Sequence, residues 1–324
     1  MRYPYSGKIL TRFISLILAV LLLTFGLMEA SPMDPVETYI GSIKRISTEQ
    51  RQMIRERWGV DKPLPTKIAN WAKNAIKGDL GYSVTFEKDV SDVIRQAFSN
   101  SLLLILTAWI LSFVFGVLLG VRAAIRQNRL ADRVIKTIAY LFSSIPAFWF
   151  GILLLLTFSV KLKWFPIGYA SPIGKSENIL FFEKLYHMFL PALTLSIMEI
   201  STICIYTREK LIEILDSDYA LYEYARGKSV MEVVKEHGVR NILLPVVTLQ
   251  FGSINEIIGG TLLIESVFSY NGIGRITIQA GLRGDLPLIL AITIVTATIV
   301  FIGNLIANIL YPLIDPRIKE GVAN

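Results

Sequence analysis

The residues in this chain whose chemistry stands out are acids placed where acids are costly. Glu199 and Glu256 lie within long apolar runs, with Met198 beside the first and Ser253 and Asn255 just ahead of the second. An ionised side chain at membrane depth is expensive and usually faces a bundle interior or a wet cavity. Two readings follow: these residues line a path for a polar or cationic cargo, or they join helices or a partner subunit through hydrogen bonds and ion pairs. Glu265 is another such acid, nearer the end of its run. Nothing comparable suggests catalysis. His187 and His237 are the only histidines and neither has a partner at helical metal spacing; Cys204, the single cysteine, sits in an apolar run, where a buried inert thiol is expected. No metal site, disulfide framework or nucleophile with its base is therefore expected. Gly227-Lys228-Ser229 echoes a phosphate loop, but that motif needs a glycine five positions earlier and position 222 is Tyr. No nucleotide cofactor is expected on this chain.

The elements that must position these groups are membrane spans. With 53% hydrophobic residues, 18% charged residues and a mean hydropathy of +0.52 over 324 residues, the composition predicts an all-α polytopic membrane protein. A span needs about 20 mostly apolar residues, and six segments qualify, near 9–28, 100–121, 134–160, 186–207, 243–267 and 287–311. The first could instead be a signal peptide, since Lys8 and Arg12 precede its apolar core and Met28-Glu29-Ala30 loosely resembles a cleavage site, although the later spans need no cleavable leader. Orientation follows from basic residues near the span ends. Arg2, Lys8 and Arg12, the tip bearing Arg122, Arg126, Arg129 and Arg133, and Arg317 and Lys319 share one side if there are six spans. Both termini are then cytosolic. The chain divides into an N-terminus with the first span (1–29), a mostly helical extracytoplasmic insertion (30–98), a five-helix core (99–316) containing the cytosolic loop 208–242, and a cytosolic tail (317–324). Within the insertion, helices are expected at 48–58, stopped by Gly59, and at 66–77. The net charge of +7 follows from this topology, and no basic stripe with interleaved aromatics suggests nucleic acid.

The polar stretch from Asp218 to Pro245 reads as two short amphipathic helices. Asp218 can cap the first, Leu221, Tyr224 and Ala225 share its apolar face, and Gly227 stops it. Ser229 and Glu232 form a capping box for the second, Val230, Val233 and Val234 repeat at helical spacing, and Gly238 ends it. Pro245 is expected to open the fifth span, where a missing amide costs nothing. Such a knuckle either presents its apolar side to a partner's groove or folds onto its own bundle. Pro146 and the glycines Gly252, Gly259 and Gly260 offer kinks and close helix contacts within the spans.

Glu223, Ala225, Gly227 and Leu243-Leu244-Pro245 resemble the EAA loop of ATP-binding-cassette importer permeases, with the long interval from Gly227 to Pro245 that is similar to members carrying oligopeptides, dipeptides and nickel. Five further segments resemble that family in the same order: Trp58 to Leu64, Gly78 to Ser83, Ser144 to Trp149, Glu265 to Arg275 and Asp315 to Ile318. Together they cover nearly the whole chain, which departs from the pattern at Ala30 to Pro35 and at Leu221-Tyr222. The resemblance implies a multi-pass protein of a bacterial or archaeal cell membrane, in contact with lipid and without enzymatic activity of its own. It implies a second homologous permease, two ATP-binding subunits that hold ATP and Mg, and an extracytoplasmic substrate-binding protein. The coupling loop would act through Asp218, Glu223, Ala225, Gly227, Ser229, Glu232, Gly238 and Pro245 in an alternating-access cycle. The stretch Asn255 to Thr261 is more similar to nickel-type members, which tilts the cargo toward a metal or metal chelate, with an oligopeptide or dipeptide as the alternative. A secondary transporter coupled to ions would call for inverted repeats, and no convincing repeat is evident. A membrane enzyme or receptor would call for a catalytic constellation.

Overall fold

The computed structural model describes residues 5–30, 62–172 and 180–314. In chain order the elements are α1 (Tyr5–Ala30), α2 (Leu64–Ile76), β1 (Tyr82–Ser83), β2 (Lys88–Asp89), α3 (Val90–Ile125), α4 (Leu130–Ser144) and α5 (Ala147–Leu154), which runs on as a π-helical turn over Leu155–Lys161. Then come α6 (Phe181–Leu215), α7 (Asp218–Ala225), α8 (Val230–Val233) with a π turn over Val234–Gly238, α9 (Val239–Gly252), α10 (Ile254–Val267), α11 (Ile273–Leu282) and α12 (Leu286–Ile314). The expected helices at 48–58 and the tail 317–324 lie outside the described residues, whereas the helix expected at 66–77 is α2.

Among the described residues, α3, α6 and Leu286–Ile306 of α12 are long and apolar enough to cross a membrane. Two further pairs qualify only as bent spans, Leu130–Ser144 with Ala147–Lys161 at 106° and Val230–Gly252 with Glu256–Val267 at 54°, and α1 carries a shorter apolar stretch, Thr11–Leu27. The sequence reading expected a kink at Pro146 within one span; the structure has a sharp break there. Ile145 is extended (φ −96°, ψ 130°) because a residue before proline is pushed out of the helical region. The helix that carries the second apolar run begins at Val90, ahead of that run's expected start near residue 100.

The chain folds as two compact units, Met1–Ser101 with Asn271–Ile302, and Leu102–Tyr270 with Gly303–Asn324. In the first, Val90, Ile94 and Ala97 pack with Ile276, Leu288 and Ile292. Asp285, almost fully buried, accepts from Ser83 Oγ (2.5 Å) and Thr85 N (3.0 Å) and so pins the β1–β2 hairpin ahead of α12. Those contacts explain the segment Gly78 to Ser83: Gly78 and Gly81 take left-handed φ values of +87° and +97°, and Asp79 Oδ1 accepts from Gly81 N at 2.9 Å.

In the second unit, Leu104 and Ala108 of α3, Met188 and Leu195 of α6, and Ile257 and Ile264 of α10 share a core with Phe268 and Tyr270. Small residues set its tightest seam. A Cβ on Gly116 would come within 2.7 Å of Ile203, and one on Gly120 within 2.6 Å of the Cys204 carbonyl, so the Gly-x-x-x-Gly spacing on α3 lets α6 approach backbone to backbone.

Candidate functional site

The knuckle between α6 and α9 is built around one glycine corner. Gly227 has φ +88°; Gly227 N donates to Tyr224 O (2.9 Å) and Lys228 N to Glu223 O (3.2 Å), the paired bonds of a Schellman motif that satisfy the last carbonyls of α7. Gly227 therefore stops α7 as expected. Across the corner, Ser229 N donates to Glu232 Oε2 (2.7 Å) and Glu232 N to Ser229 Oγ (3.4 Å), which is the expected capping box.

Four details of the sequence reading are corrected. Asp218 is not the cap of α7: Ser217 holds the N-cap position with an extended backbone and turns its hydroxyl back to Ile214 O, leaving Asp218 in the first turn, where the helix dipole favours its charge. The buried residue of α7 is Ala220, small enough for close packing, so the face expected from Leu221, Tyr224 and Ala225 is rotated and Leu221 points outward. Gly238 does not end a helix. It is helical (φ −60°, ψ −58°), and a Cβ there would lie 2.8 Å from Leu211 Cδ1, so its role is to let the helix lie against α6. Pro245 does not open a span but lies inside α9, where it withholds an amide from the Asn241 carbonyl and weakens the ladder.

Glu223 organises the charges of the knuckle. Lys228 Nζ lies 2.8 Å from Glu223 Oε2 and 2.5 Å from Glu236 Oε2, Arg226 Nη1 lies 3.4 Å from Glu223 Oε1, and His237 Nε2 lies 3.8 Å from both acids. Bonding to Lys228 holds the Glu223 carboxyl below the ordinary glutamate range, and the same contact raises the Lys228 ammonium. The cluster ties α7, the corner and the following π turn together. Its outer side is apolar: Tyr219, Leu221, Tyr222, Val230 and Met231 are all exposed, Tyr222 by 63%. Ala225, the last residue of α7, is exposed beside them.

The candidate path residues gather at the break between α9 and α10. Glu199 and Ser253 are buried, Met198 and Glu256 are exposed, and the side chains of Glu256 and Ser253 both hydrogen-bond the Glu199 carboxyl. Asn255 lies in the first turn of α10, and its side chain is outside the described residues. A carboxyl pair beside a hydroxyl can hold a shared proton or meet a cation. Gly260 packs against Leu195, whereas Gly259 faces open space. Among the described residues, no group of three or more potential metal ligands comes together.

Sequence reasoning missed two buried polar joints. Arg208 donates through Nε and Nη2 to both oxygens of Asp132 (2.6 and 2.8 Å), and Asp132 also accepts from Asn128 N (2.9 Å). An arginine just past an apolar run and one acid in an arginine-rich tip were the available signals. The second joint, Trp109 with Gln250, carried no signal beyond a lone Gln in an apolar run.

Residues 116–320 match the family described as binding-protein-dependent transport system inner membrane component. The chain is 34% identical to an oligopeptide transport system permease protein of Bacillus subtilis (strain 168), covering 94% of this chain and 96% of that one. It is 32% identical to a di/tripeptide transport system permease protein of Pseudomonas aeruginosa (strain UCBPP-PA14), with 93% and 94% covered. It is 31% identical to a glutathione transport system permease protein of Escherichia coli (strain K12), with 97% and 98% covered. Among solved structures, inward-facing conformations of a methionine ABC transporter share the fold, with a TM-score of 0.55 at 14% identity, over 68% of this chain and 96% of that one.

Proposed function

Since the chain belongs to the family of binding-protein-dependent transport system inner membrane components, we propose that it is the membrane permease subunit of an ATP-driven importer of peptides. The chain is a multi-pass cell-membrane protein rather than an enzyme, and ATP hydrolysis lies in separate subunits. The observation that carries the coupling role is the knuckle itself: a corner locked by a Schellman motif and the Glu223 ion cluster, presenting Tyr219, Leu221, Tyr222, Val230 and Met231 to solvent. A rigid apolar knob of this kind suits a hydrophobic groove on an ATPase.

The full reading has six spans, formed by α1, α3, the two broken pairs, α6 and α12, with both termini in the cytosol. Two ATP-binding subunits, a second homologous permease and an extracytoplasmic binding protein complete the importer. ATP-driven closure of the ATPases pulls the knuckle, and α6 and α9 carry that movement toward the break where Glu199, Ser253 and Glu256 meet. Peptide is preferred to nickel as cargo because the three relatives are named for oligopeptide, di/tripeptide and glutathione transport at 31–34% identity along nearly their whole length. The nickel tilt rested on Glu256 and its neighbours alone, and a carboxyl pair suits the ammonium terminus of a peptide equally well.

The test is reconstitution of the complete complex with its binding protein in vesicles, following a radiolabelled dipeptide, a radiolabelled tripeptide and nickel. ATP-dependent peptide uptake is the expected result. Uptake that persists on an ion gradient without ATP would instead identify a secondary transporter, and ATP-dependent uptake of nickel alone would overturn the peptide assignment.

A further inference from the structure

We propose that Trp109 is a positioning residue for transport: with Gln250 and Ser112 it caps the inner half of the broken fifth span, so that α9 is fastened to α3 and relative movement is confined to the break after Gly252. This inference rests on the permease reading above and adds the place where the movement of the knuckle is delivered.

Gln250 lies in the last turn of α9, and the last four carbonyls of a helix have no partner within it. In a membrane such a carbonyl must be satisfied by protein. Here the Gln250 carbonyl accepts from Trp109 Nε1 (3.0 Å) and from Ser253 Oγ (3.0 Å). The contact is returned: Gln250 Nε2 donates to Trp109 O (2.9 Å) and to Ser112 Oγ (3.0 Å), and Ser112 Oγ donates to Trp109 O (2.8 Å). Gln250 is only 1% exposed, and the Trp109 ring meets Phe251 edge-on at 5.2 Å. Two helices are thus joined by reciprocal bonds in place of a single contact, one turn before the chain bends.

Position gives this joint its consequence. On one side of the bend, Val230–Gly252 begins at the knuckle; on the other, Glu256 opens the straight part of α10 and meets Glu199. A helix end that is capped from α3 cannot slide or unwind without breaking several buried bonds at once. The bend is therefore a joint with a fixed inner arm, and the geometry at Glu256 depends on it. Without Trp109 the inner arm would keep its packing on α6 but lose one of its bonds to α3, so its end next to the bend would be held less firmly.

The experiment uses the assembled complex in lipid nanodiscs and vesicles, with Cys204→Ala as background and spin labels on Leu243→Cys and Leu263→Cys, exposed positions flanking the bend. Distances between the labels and the ratio of tripeptide uptake to ATP hydrolysed are measured together. Trp109→Phe keeps the ring and removes the donor. It should broaden the distance distribution and lower the uptake per ATP about threefold to tenfold, the size expected for losing one hydrogen bond of about 1 kcal/mol while Ser253 Oγ still serves the Gln250 carbonyl. An unchanged distribution with an unchanged uptake ratio would overturn the proposal, because a ring that merely fills space is preserved in Phe. Should Trp109→Phe fail to assemble, Ser112→Ala decides: broadening supports the joint, and a wild-type distribution rejects it. Failure of the permease reading looks different, since the unsubstituted complex would then show no ATP-dependent uptake whatever the distances do.

Discussion

Substitution of Gly227 isolates backbone geometry from packing. An added Cβ at this position meets no atom within 4 Å, yet the residue sits at φ +88°. The cost of a side chain is therefore conformational: about 1–2 kcal/mol for an ordinary L-residue in the left-handed region and about 2–3 kcal/mol for a β-branched one held against its preference. At 1.4 kcal/mol per factor of ten, Gly227→Val should depopulate the native corner roughly 30- to 150-fold relative to relaxed alternatives. Relaxation breaks the Gly227–Tyr224 and Lys228–Glu223 backbone bonds and carries Lys228 away from Glu223. With no clash to impede folding, membrane abundance should match the wild type, while co-purification of the ATPases and stimulated ATP hydrolysis fall. Gly227→Asn, which tolerates the left-handed region, should lose much less, with Gly227→Ala between them. Wild-type coupling in Gly227→Val, or equal damage from Asn and Val, would refute the argument that the corner's conformation is what the ATPases require.

Four more expectations follow. Glu223→Lys would put a cation beside Arg226 and Lys228 and open the cluster, so ATPase co-purification should drop while insertion is retained. Because the folded Glu223 pKa is depressed, its contribution is present above the ordinary glutamate value of about 4.3 and lost as pH falls through the lowered one; an ATPase-binding titration should show no loss from this group above about pH 5. In a Cys204→Ala background, Glu87→Cys should react with an impermeant thiol reagent applied to intact cells and Ser229→Cys should not; outside labelling of position 229 would end the six-span topology. Glu256→Gln removes an exposed charge and keeps a hydrogen-bonding partner for Glu199, so assembly and basal ATP hydrolysis should persist while peptide uptake falls, and unchanged uptake would reject a path role.

Local signals in the sequence were strong wherever one residue type has one physical use. Ser229 and Glu232 announced a capping box, Gly227 a left-handed stop, and the apolar runs the long helices α3, α6 and α12. What was not legible depended on tertiary neighbours. Gly238 reads as a helix stop until Leu211 is seen against it, and Pro245 reads as a helix start until the π turn is found to carry α8 into α9. Leu221 fits an inward face by periodicity, but an eight-residue helix rests on whichever side chain allows closest approach, and that is Ala220. Glu223 was legible as a coupling-loop residue but not as the centre of an ion cluster: its side chain is 12% exposed and lies 2.8 Å from Lys228 Nζ. The joints formed by Asp132 with Arg208 and Trp109 with Gln250 join residues 76 and 141 positions apart, a separation at which no local pattern operates.

Transmission from the knuckle to the centre of the membrane requires that a pull at one end arrive as displacement and not as local deformation. Helices joined only by long flexible side chains absorb such a pull through rotamer changes. The contacts around α6 are of another kind. The Gly116 and Gly120 seam brings α3 against its backbone, Gly238 brings the chain leaving the knuckle against Leu211, and the bidentate Asp132–Arg208 pair fixes the C-terminal part of α6 to α4 with the acid 1% exposed. Removing one partner of a buried pair leaves an uncompensated charge and costs about 3–5 kcal/mol, so this end has few inexpensive ways to yield. Contacts of this kind run from the knuckle through α6 and α3 as far as Gln250, and Ser253 (φ −76°, ψ −5°), the residue that ends α9, lies at the 54° bend. On the proposed coupling, a load applied at Tyr222 and Met231 would be relieved at the bend after Gly252. That bend is where Glu199, Ser253 and Glu256 meet, with Glu256 six residues beyond Gln250.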